Sequence, residues 1–270
     1  MIRLARVAAA VAALALLPIH SPAAQASQRP IVYSPGNARY RIISVVTRSQ
    51  EQGGTRQFKI TNEQQLSVKL TEHGKDTLDF AYTVDSSKVV SDPQIPLPDV
   101  SKLAGTTVKG SMSAHGKVYE MTSNAADSDM DARNLVEGMR KFLLPLPEDA
   151  AVGKSWTDTT INSVSGNGGK LDMSAITTSR VVGDTTFDGQ KAWRVERTSV
   201  MSIHGTQNQA GQELQVEGDG TGNGTHYLGV NGTYLGSTAT QRMNMRITIP
   251  AAGQTVPVTQ VVTSTVERIR

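Results

Sequence analysis

The sequence contains no cysteine. This absence excludes disulfides, thiol catalysis, cysteine-ligated metals and a lipid-modified N-terminal cysteine. Aromatic residues make up only 4% of the 270 residues, too few for the aromatic girdles of an integral outer-membrane protein. The formal net charge is only +3 and falls to near neutrality without Arg3 and Arg6 at the N-terminus. We therefore expect neither a nucleic-acid partner, because the electrostatic attraction is missing, nor an integral membrane protein.

The longest apolar run of the sequence lies at its start. Val7 to Leu17 are all apolar, Arg3 and Arg6 precede them, and Ala24-Gln25-Ala26 follows. These segments have the order of the charged region, apolar region and cleavage site of a secretory signal peptide. The run is too short for a transmembrane helix, which takes about 20 residues. We predict a signal peptide at 1–26, a single β-rich domain at 27–270, and a mature protein in the periplasm or outside the cell.

Alternation of apolar and polar residues with a period of two dominates the rest of the chain. The even positions from Phe58 to Leu70 are one example, and Leu78, Phe80, Tyr82 and Val84 are another. This period predicts half-buried antiparallel strands with one wet face. Strands longer than the usual ~5–6 residues favour a strongly curved sheet. The predicted fold is mainly β, about eleven long antiparallel strands in a curved open sheet or half-barrel, at about 39–49, 56–72, 76–85, 106–113, 117–122, 155–162, 169–183, 190–204, 213–229, 232–249 and 255–269.

One amphipathic helix is predicted at about 128–143. Ser128 and Asp131 can form a capping box at its start, and Pro145 stops it. Phe142 flanks an apolar stripe whose members recur at helical spacing: Ala132, Leu135, Val136, Met139 and Leu143. We expect this stripe to pack onto the sheet.

Four glycines alternate with other residues near the end of the chain, at Gly218, Gly220, Gly222 and Gly224. A period of two matches a strand and places all four on one face. Glycine in a strand allows the close approach of a bulky group, such as the helix stripe, Trp193 or a ligand. We predict extended backbone here, and a glycine-rich loop is the alternative.

Motifs for catalysis or metal binding are missing from the sequence. No His-x-x-x-His pair, nucleophile elbow or phosphate-binding loop occurs. The aspartates at 127, 129 and 131 have calcium-loop spacing but lack the glycine and glutamate that such a loop needs. We therefore expect no catalytic residue, no metal and no cofactor. An enzyme would require His204 or His226 to meet a carboxylate in a polar cleft.

The order of these elements resembles the LolA-type lipoprotein chaperones and LppX-type lipid-binding proteins of the bacterial envelope. The likeness covers 39–269 and is one of architecture. It implies an open sheet that cups an apolar cavity beneath helices. A local element, Pro147-Glu148 with Val152-Gly153-Lys154-Ser155-Trp156, together with the late glycine strand, also resembles an uncharacterised family of exported bacterial β-proteins. That second likeness implies no activity.

The chain departs from those carriers in two respects. It has one predicted helix instead of several, which reduces the expected lid. Its inward-facing strand positions are also interrupted by polar residues that need partners if buried. These are Asn62, Gln64, Arg197 and Gln241.

Together these patterns predict an exported carrier or binding module for an apolar or amphipathic ligand such as a lipid or acyl chain. The predicted ligand-binding residues line the concave face and the underside of the helix: Leu66, Leu70, Phe80, Tyr82, Leu135, Met139, Phe142, Trp193 and Met201. The alternative is an envelope structural or protein-interaction module without a small ligand, because long strands leave edges to which a partner strand can add. An apolar void between sheet and helix favours the carrier, and a filled core favours the alternative.

Overall fold

A computed structural model of the protein describes residues 30–51, 54–91, 97, 99–125, 130–166, 169–209 and 211–269. The predicted signal peptide at 1–26 lies outside the described residues. Eleven antiparallel strands form one open sheet, and one α-helix is found in the described part of the chain. The elements are β1 (Gly36–Glu51), β2 (Thr55–Gly74), β3 (Thr77–Ser91), β4 (Thr107–Ser113), β5 (Val118–Ser123), α1 (Met130–Arg140), β6 (Ser155–Gly166), β7 (Gly169–Phe187), β8 (Gln190–Gln209), β9 (Gln212–Gly229), β10 (Tyr234–Ile249) and β11 (Gln254–Ile269).

The strand order in the sheet is β5-β4-β3-β2-β1-β11-β10-β9-β8-β7-β6. The first and last strands therefore pair at its centre, from Arg39 opposite Ile269 to Gln50 opposite Val258. The two edge strands, β5 and β6, are consecutive in the chain and are joined through α1. The predicted mainly β fold, with eleven long antiparallel strands in an open curved sheet and one helix, is confirmed.

The sheet has two chemically different faces because side chains alternate along each strand. We call the face that carries Tyr40 and Val195 the inner face. The opposite, outer face carries charged cross-strand pairs: Arg41 Nε lies 2.7 Å from Glu63 Oε1. Five bulges or register shifts, one of them between Gln65 and Leu66, add local bends to the long strands.

The main core occupies one end of the inner face, which we call the covered end. Here α1 and the segment 141–150 pack against the strands. The helix ends at Arg140, three residues before the predicted end at 143. Hydrogen bonds of the Lys141 N–H to the Gly138 carbonyl (3.2 Å) and of the Phe142 N–H to the Met139 carbonyl (3.1 Å) tighten the last turn and redirect the chain. The predicted cap, Ser128, lies outside the described residues.

Aromatic rings fill the space beneath the helix. The ring of Phe142, just past the helix end, has its centroid 5.2 Å from Tyr40, 5.7 Å from Tyr82 and 5.5 Å from Tyr234. The Tyr40 hydroxyl donates to the Tyr234 carbonyl at 2.7 Å, so this polar tip is satisfied inside the core. Edge-to-face aromatic contacts of this kind add about 0.5–1.5 kcal/mol beyond the area that they bury. The covered end is therefore a packed core.

The four alternating glycines lie in β9, and none of them has a positive φ. They face the inner side and are half-buried, whereas Asp219, Thr221 and Asn223 between them are exposed. The prediction of extended glycines on one face is thus confirmed, and the loop alternative is wrong. The bulky neighbours come from β10: a Cβ on Gly220 would lie 2.3 Å from the Arg242 carbonyl oxygen and 2.7 Å from the Met243 sulfur. These neighbours replace the helix stripe and Trp193 that the sequence analysis expected.

Candidate functional site

Eight of the nine predicted ligand-binding residues belong to the covered end. Five of these are buried and three are half-buried at its margin, and all of them contact the same cluster. The buried ones are Leu66, Leu70, Phe80, Tyr82 and Met139, and the half-buried ones are Leu135, Phe142 and Trp193. Because Phe142 and its tyrosine neighbours occupy the space under the helix, these residues pack as core.

Met201, the ninth residue, lies on the part of the inner face beyond the covered end. We call this part the open half. Met201 on β8 pairs with Gly220 on β9, and Gly220 pairs with Met243 on β10. With Ala175, opposite Met201 on β7, they form a cross-strand row that we call the methionine row. Methionine is flexible and polarisable, so such a row can adapt to an irregular apolar surface.

A small apolar cluster continues the methionine row away from the covered end. Met245, Val256 and Val258 are buried in it, and Ile203, Met243 and Ile247 pack against them. Neighbouring glycines make this packing possible, because a Cβ on Gly218 would lie 2.8 Å from Met245 Cγ. The open half therefore carries an apolar strip that packs separately from α1. Its partly exposed members are Met201, Ile203, Met243 and Ile247.

A second row lies between the methionine row and the covered end. Trp156 on β6 pairs with Ser179 on β7, Ser179 pairs with Arg197 on β8, and Arg197 pairs with Gly224 on β9. We call these four residues the Arg197 row. Residues opposite each other in an antiparallel pair project to the same face. The row therefore places an indole, a hydroxyl and a guanidinium side by side on the inner face.

Arg197 and His226 are neighbours on this face. Arg197 Nη1 lies 3.4 Å from His226 Nε2, and His226 Nδ1 lies 3.4 Å from the Tyr234 hydroxyl. Burial, followed by the Arg197 charge, lowers the pKa of His226 from 6.5 to about 3. A neutral His226 can accept the Arg197 N–H at Nε2. Burial also lowers the pKa of Arg197, although Asp158 acts in the opposite direction.

Sequence reasoning noticed Arg197 as a polar interruption of an inward-facing strand but did not assign it to a site. Ser179 carried no signal, and Trp156 stood out only as part of the element at 147–156. The register of β6, β7 and β8 is what brings them next to Arg197. A search for inward-facing polar residues at matching positions of neighbouring strands could have grouped them.

His204 and His226, the two histidines named in the sequence analysis, lie on opposite faces of the sheet. His204 Nε2 lies 3.9 Å from Asp172 Oδ2, but the histidine side chain is 69% exposed and lies on the outer face. His226 is on the inner face, where its ring nitrogens contact a guanidinium and a phenol. Within the described ranges, no group of three or more metal-ligating side chains is present.

The comparisons with known proteins give no family. No protein family and no curated protein matches the chain. In the described part of the chain, no helix is long and apolar enough to cross a bilayer.

Solved structures match the chain only distantly. DynF from the dynemicin biosynthesis pathway of Micromonospora chersina aligns over 91% of this chain and 85% of its own, with 11% identity and a TM-score of 0.25. Pseudomonas aeruginosa OccK2 aligns over 87% and 98%, with 8% identity and a TM-score of 0.28. A LolA superfamily protein, NE2245 from Nitrosomonas europaea, aligns over 88% and 87%, with 7% identity and a TM-score of 0.15. Scores this low carry no argument. The resemblance to LolA- and LppX-type proteins and the relation of the element at 147–156 to an uncharacterised family both stay predictions.

Proposed function

We propose that the protein is an exported carrier or binding module for an amphipathic ligand with an acyl chain, and that the acyl chain lies along the open half of the inner face. The observation that carries this proposal is the apolar strip of the methionine row and the adjoining cluster, which packs separately from α1. Ligand sites are mostly apolar with a few polar groups that orient the ligand. The open half has this composition.

The covered end is a poorer place for the ligand. Phe142, Leu143, Leu144 and Leu146 from the segment after α1 already fill it. A ligand there would have to displace this segment and break the Tyr33 hydroxyl hydrogen bond to the Leu144 carbonyl at 2.9 Å. The proposed site therefore keeps Met201 from the sequence-based set and moves the rest of the site toward Met243 and Met245.

The predicted signal peptide at 1–26 supports the export part of the proposal, with the mature protein in the periplasm or outside the cell. Envelope lipids and their acyl chains are the apolar molecules that such a protein meets there. The proposal therefore joins an extracytoplasmic location to a lipid-like ligand.

The test is native mass spectrometry of protein purified from its own envelope, followed by lipid extraction. We expect a bound mass that disappears after delipidation and that the Met201→Gln variant retains poorly. Val200→Gln is the matched control, because Val200 is the preceding residue on β8 and faces outward with 65% exposure. A bare wild-type chain, or equal retention by both variants, would contradict the proposal.

One observation favours the protein-interaction alternative. Ile176 and Val200 face each other on the outer side of β7 and β8, and Ile161 lies diagonal to Ile176 on the edge strand β6. They are 54%, 65% and 74% exposed. Contiguous exposed apolar residues mark interaction surfaces, and a partner strand could add to β6. Photocrosslinking from position 176, compared with position 178 on the same face, tests this: a specific envelope protein captured at 176 alone would support a partner.

A further inference from the structure

We infer that the Arg197 row binds the oxyanion headgroup, a carboxylate or a phosphate, of the amphipathic ligand. This inference rests on the proposed function and adds to it the charge of the ligand and the place of its polar end.

The first argument is a half-buried cation that has no direct ion-pair partner. Arg197 takes part in none of the ion pairs found among the described residues. Its Nε is buried and has no hydrogen-bond partner, and its Nη1 meets a neutral histidine at 3.4 Å. A buried charge is unfavourable unless it is paired and hydrogen-bonded. An anion at this place would satisfy both needs.

The second argument is a shortage of acceptors in the same row. Five buried side-chain polar atoms of the described residues lack a partner, and three of them are Trp156 Nε1, Ser179 Oγ and Arg197 Nε. Ser179 is 0% exposed, so bulk water does not solvate its hydroxyl. Indole and guanidinium groups can only donate, and a hydroxyl can donate or accept. These three unpartnered atoms can all donate to one oxyanion, which accepts several hydrogen bonds at once.

The third argument concerns the other groups around Arg197. His226 is neutral at physiological pH, because its pKa lies at about 3, and it can only orient the guanidinium. Asp158, from β6, is the carboxylate that acts on the Arg197 charge, but it is exposed and makes no ion pair with it. Gly224, opposite Arg197 on β9, has no side chain. On β9, therefore, no side chain fills the position opposite the guanidinium.

The fourth argument is the direction of the apolar strip. Arg197 and Met201 are four residues apart on β8, which corresponds to about 13 Å along an extended strand. On β7, β8 and β9 the side chains between the two rows are small, because Thr177, Ser199 and Gly222 share one cross-strand line. Asp158 on β6 and Gln241 on β10 extend the same line at its two ends. A headgroup at the Arg197 row can thus continue into an acyl chain over the methionine row. The distance of about 13 Å between the two rows fits an acyl chain of medium or greater length.

The experiment measures binding of four single-chain amphiphiles to the delipidated full mature chain by calorimetry. They share a dodecyl tail and differ in the head: dodecanoate, dodecyl phosphate, dodecanol and dodecyltrimethylammonium. We expect the two anions to bind at least about tenfold more tightly than the alcohol, which is about 1.4 kcal/mol. The cation should bind most weakly. Dodecanoate against dodecyl phosphate then tells which headgroup the row prefers.

Variants separate the headgroup site from the tail site. Arg197→Met should remove the preference for anions and leave dodecanol binding unchanged. Arg48→Met is the matched control: Arg48 is on the same face, on β1, and its Nη2 donates to Gln260 Oε1 at 3.0 Å. Trp156→Phe keeps an aromatic side chain and removes the indole N–H, and it should weaken the binding of the anions alone by several-fold. It also provides a second test if Arg197→Met fails to fold.

The outcomes distinguish the inference from the function on which it rests. If dodecanol and the anions bind equally in the wild type, or if Arg197→Met and Trp156→Phe weaken all ligands alike, the headgroup site is wrong and the carrier stands. If no amphiphile binds, the proposed function itself fails. Tight binding of inorganic phosphate, which has no tail, would assign the row to a free anion and overturn the acyl-chain part of the inference.

Discussion

Replacement of Gly220 by alanine tests the steric role of the glycine stripe. The new methyl carbon would lie 2.3 Å from the Arg242 carbonyl oxygen and 2.7 Å from the Met243 sulfur. The sulfur is the flexible part of a side chain and can move, but the carbonyl belongs to the paired strand. We therefore expect β9 and β10 to separate locally. Overpacking of this kind costs about 1–3 kcal/mol of unfolding free energy.

A compensating gain reduces this loss. Alanine restricts the unfolded chain more than glycine does, which stabilises the fold by about 0.4–1 kcal/mol where the backbone is compatible. The net expectation for Gly220→Ala is a loss of about 1–2 kcal/mol, which lowers Tm by roughly 2–8 °C for a chain of this size. Calorimetric melting and urea titration measure it.

Two further glycines supply the controls. Gly36, at the start of β1, has no atom within 4 Å of a built Cβ, so Gly36→Ala should leave Tm unchanged or raise it slightly. Gly222→Ala should have an intermediate effect on Tm. Its new Cβ would meet Ser199 Oγ at 3.1 Å and Gln241 Cγ at 3.2 Å, and both side chains can rotate away. If Gly220→Ala melts at or above the temperature of Gly36→Ala, the stripe has no steric role.

Three other expectations concern the core and its ionisable groups. Met139→Asp should destabilise the protein by several kcal/mol, because it buries an unpaired charge under the helix. The control, Glu137→Gln on the exposed side of α1, should change Tm little. If the two variants have the same Tm, Met139 lies outside the core. His226 has a pKa lowered from 6.5 to about 3 by burial, so below pH 6.5 the unfolded chain takes up a proton that the folded chain does not. Stability should fall with decreasing pH by up to about 1.4 kcal/mol per unit from this group, and His226→Gln should flatten the acid limb of a urea-stability profile while the exposed-site variant His204→Gln should not. Burial raises the pKa of Tyr40 and of the other core tyrosines above 10. The contribution of these neutral hydroxyls to the unfolding free energy is therefore complete below pH 10 and is lost above it. Tyrosinate absorbance should stay suppressed until the protein unfolds, and titration of these rings before unfolding would contradict their burial.

Much of the fold is predictable from the sequence because its signals are local. Alternation with a period of two predicts the strands, and glycine-containing turns such as Asp188-Gly189, where Asp188 has φ 47° and Gly189 φ 72°, separate them. Most strand ends are predicted within a few residues, but β3 and β8 continue to Ser91 and Gln209, beyond the predicted ends at 85 and 204. The glycine stripe is visible for the same reason. The pairing of β1 with β11 leaves no local signal, because the partners are distant in the chain.

The candidate site was less predictable. Apolar positions on the inner strand faces look the same in sequence whether a ligand or another part of the chain fills the space above them. At the covered end the chain itself fills this space, because Phe142 lies just past the helix end and packs among tyrosines. Arg197 stood out in the sequence, but its neighbours depend on the register of three strands. A helix period and a strand period specify faces and leave open what lies opposite them.

The central pairing of β1 with β11 has a consequence for assembly of the sheet. Ser44 and Ser264, whose hydroxyls lie 3.4 Å apart across this seam, are separated by 220 residues in the chain. The strands β1–β5 and β6–β10 can each form a meander as they emerge, but until β11 adds, the two meanders have four free edges. When β11 inserts, it pairs with both β1 and β10 and leaves only two free edges, at β5 and β6. The chain is therefore most exposed to edge-to-edge aggregation just before its last strand arrives, and a truncation within β11 would hold it in that state.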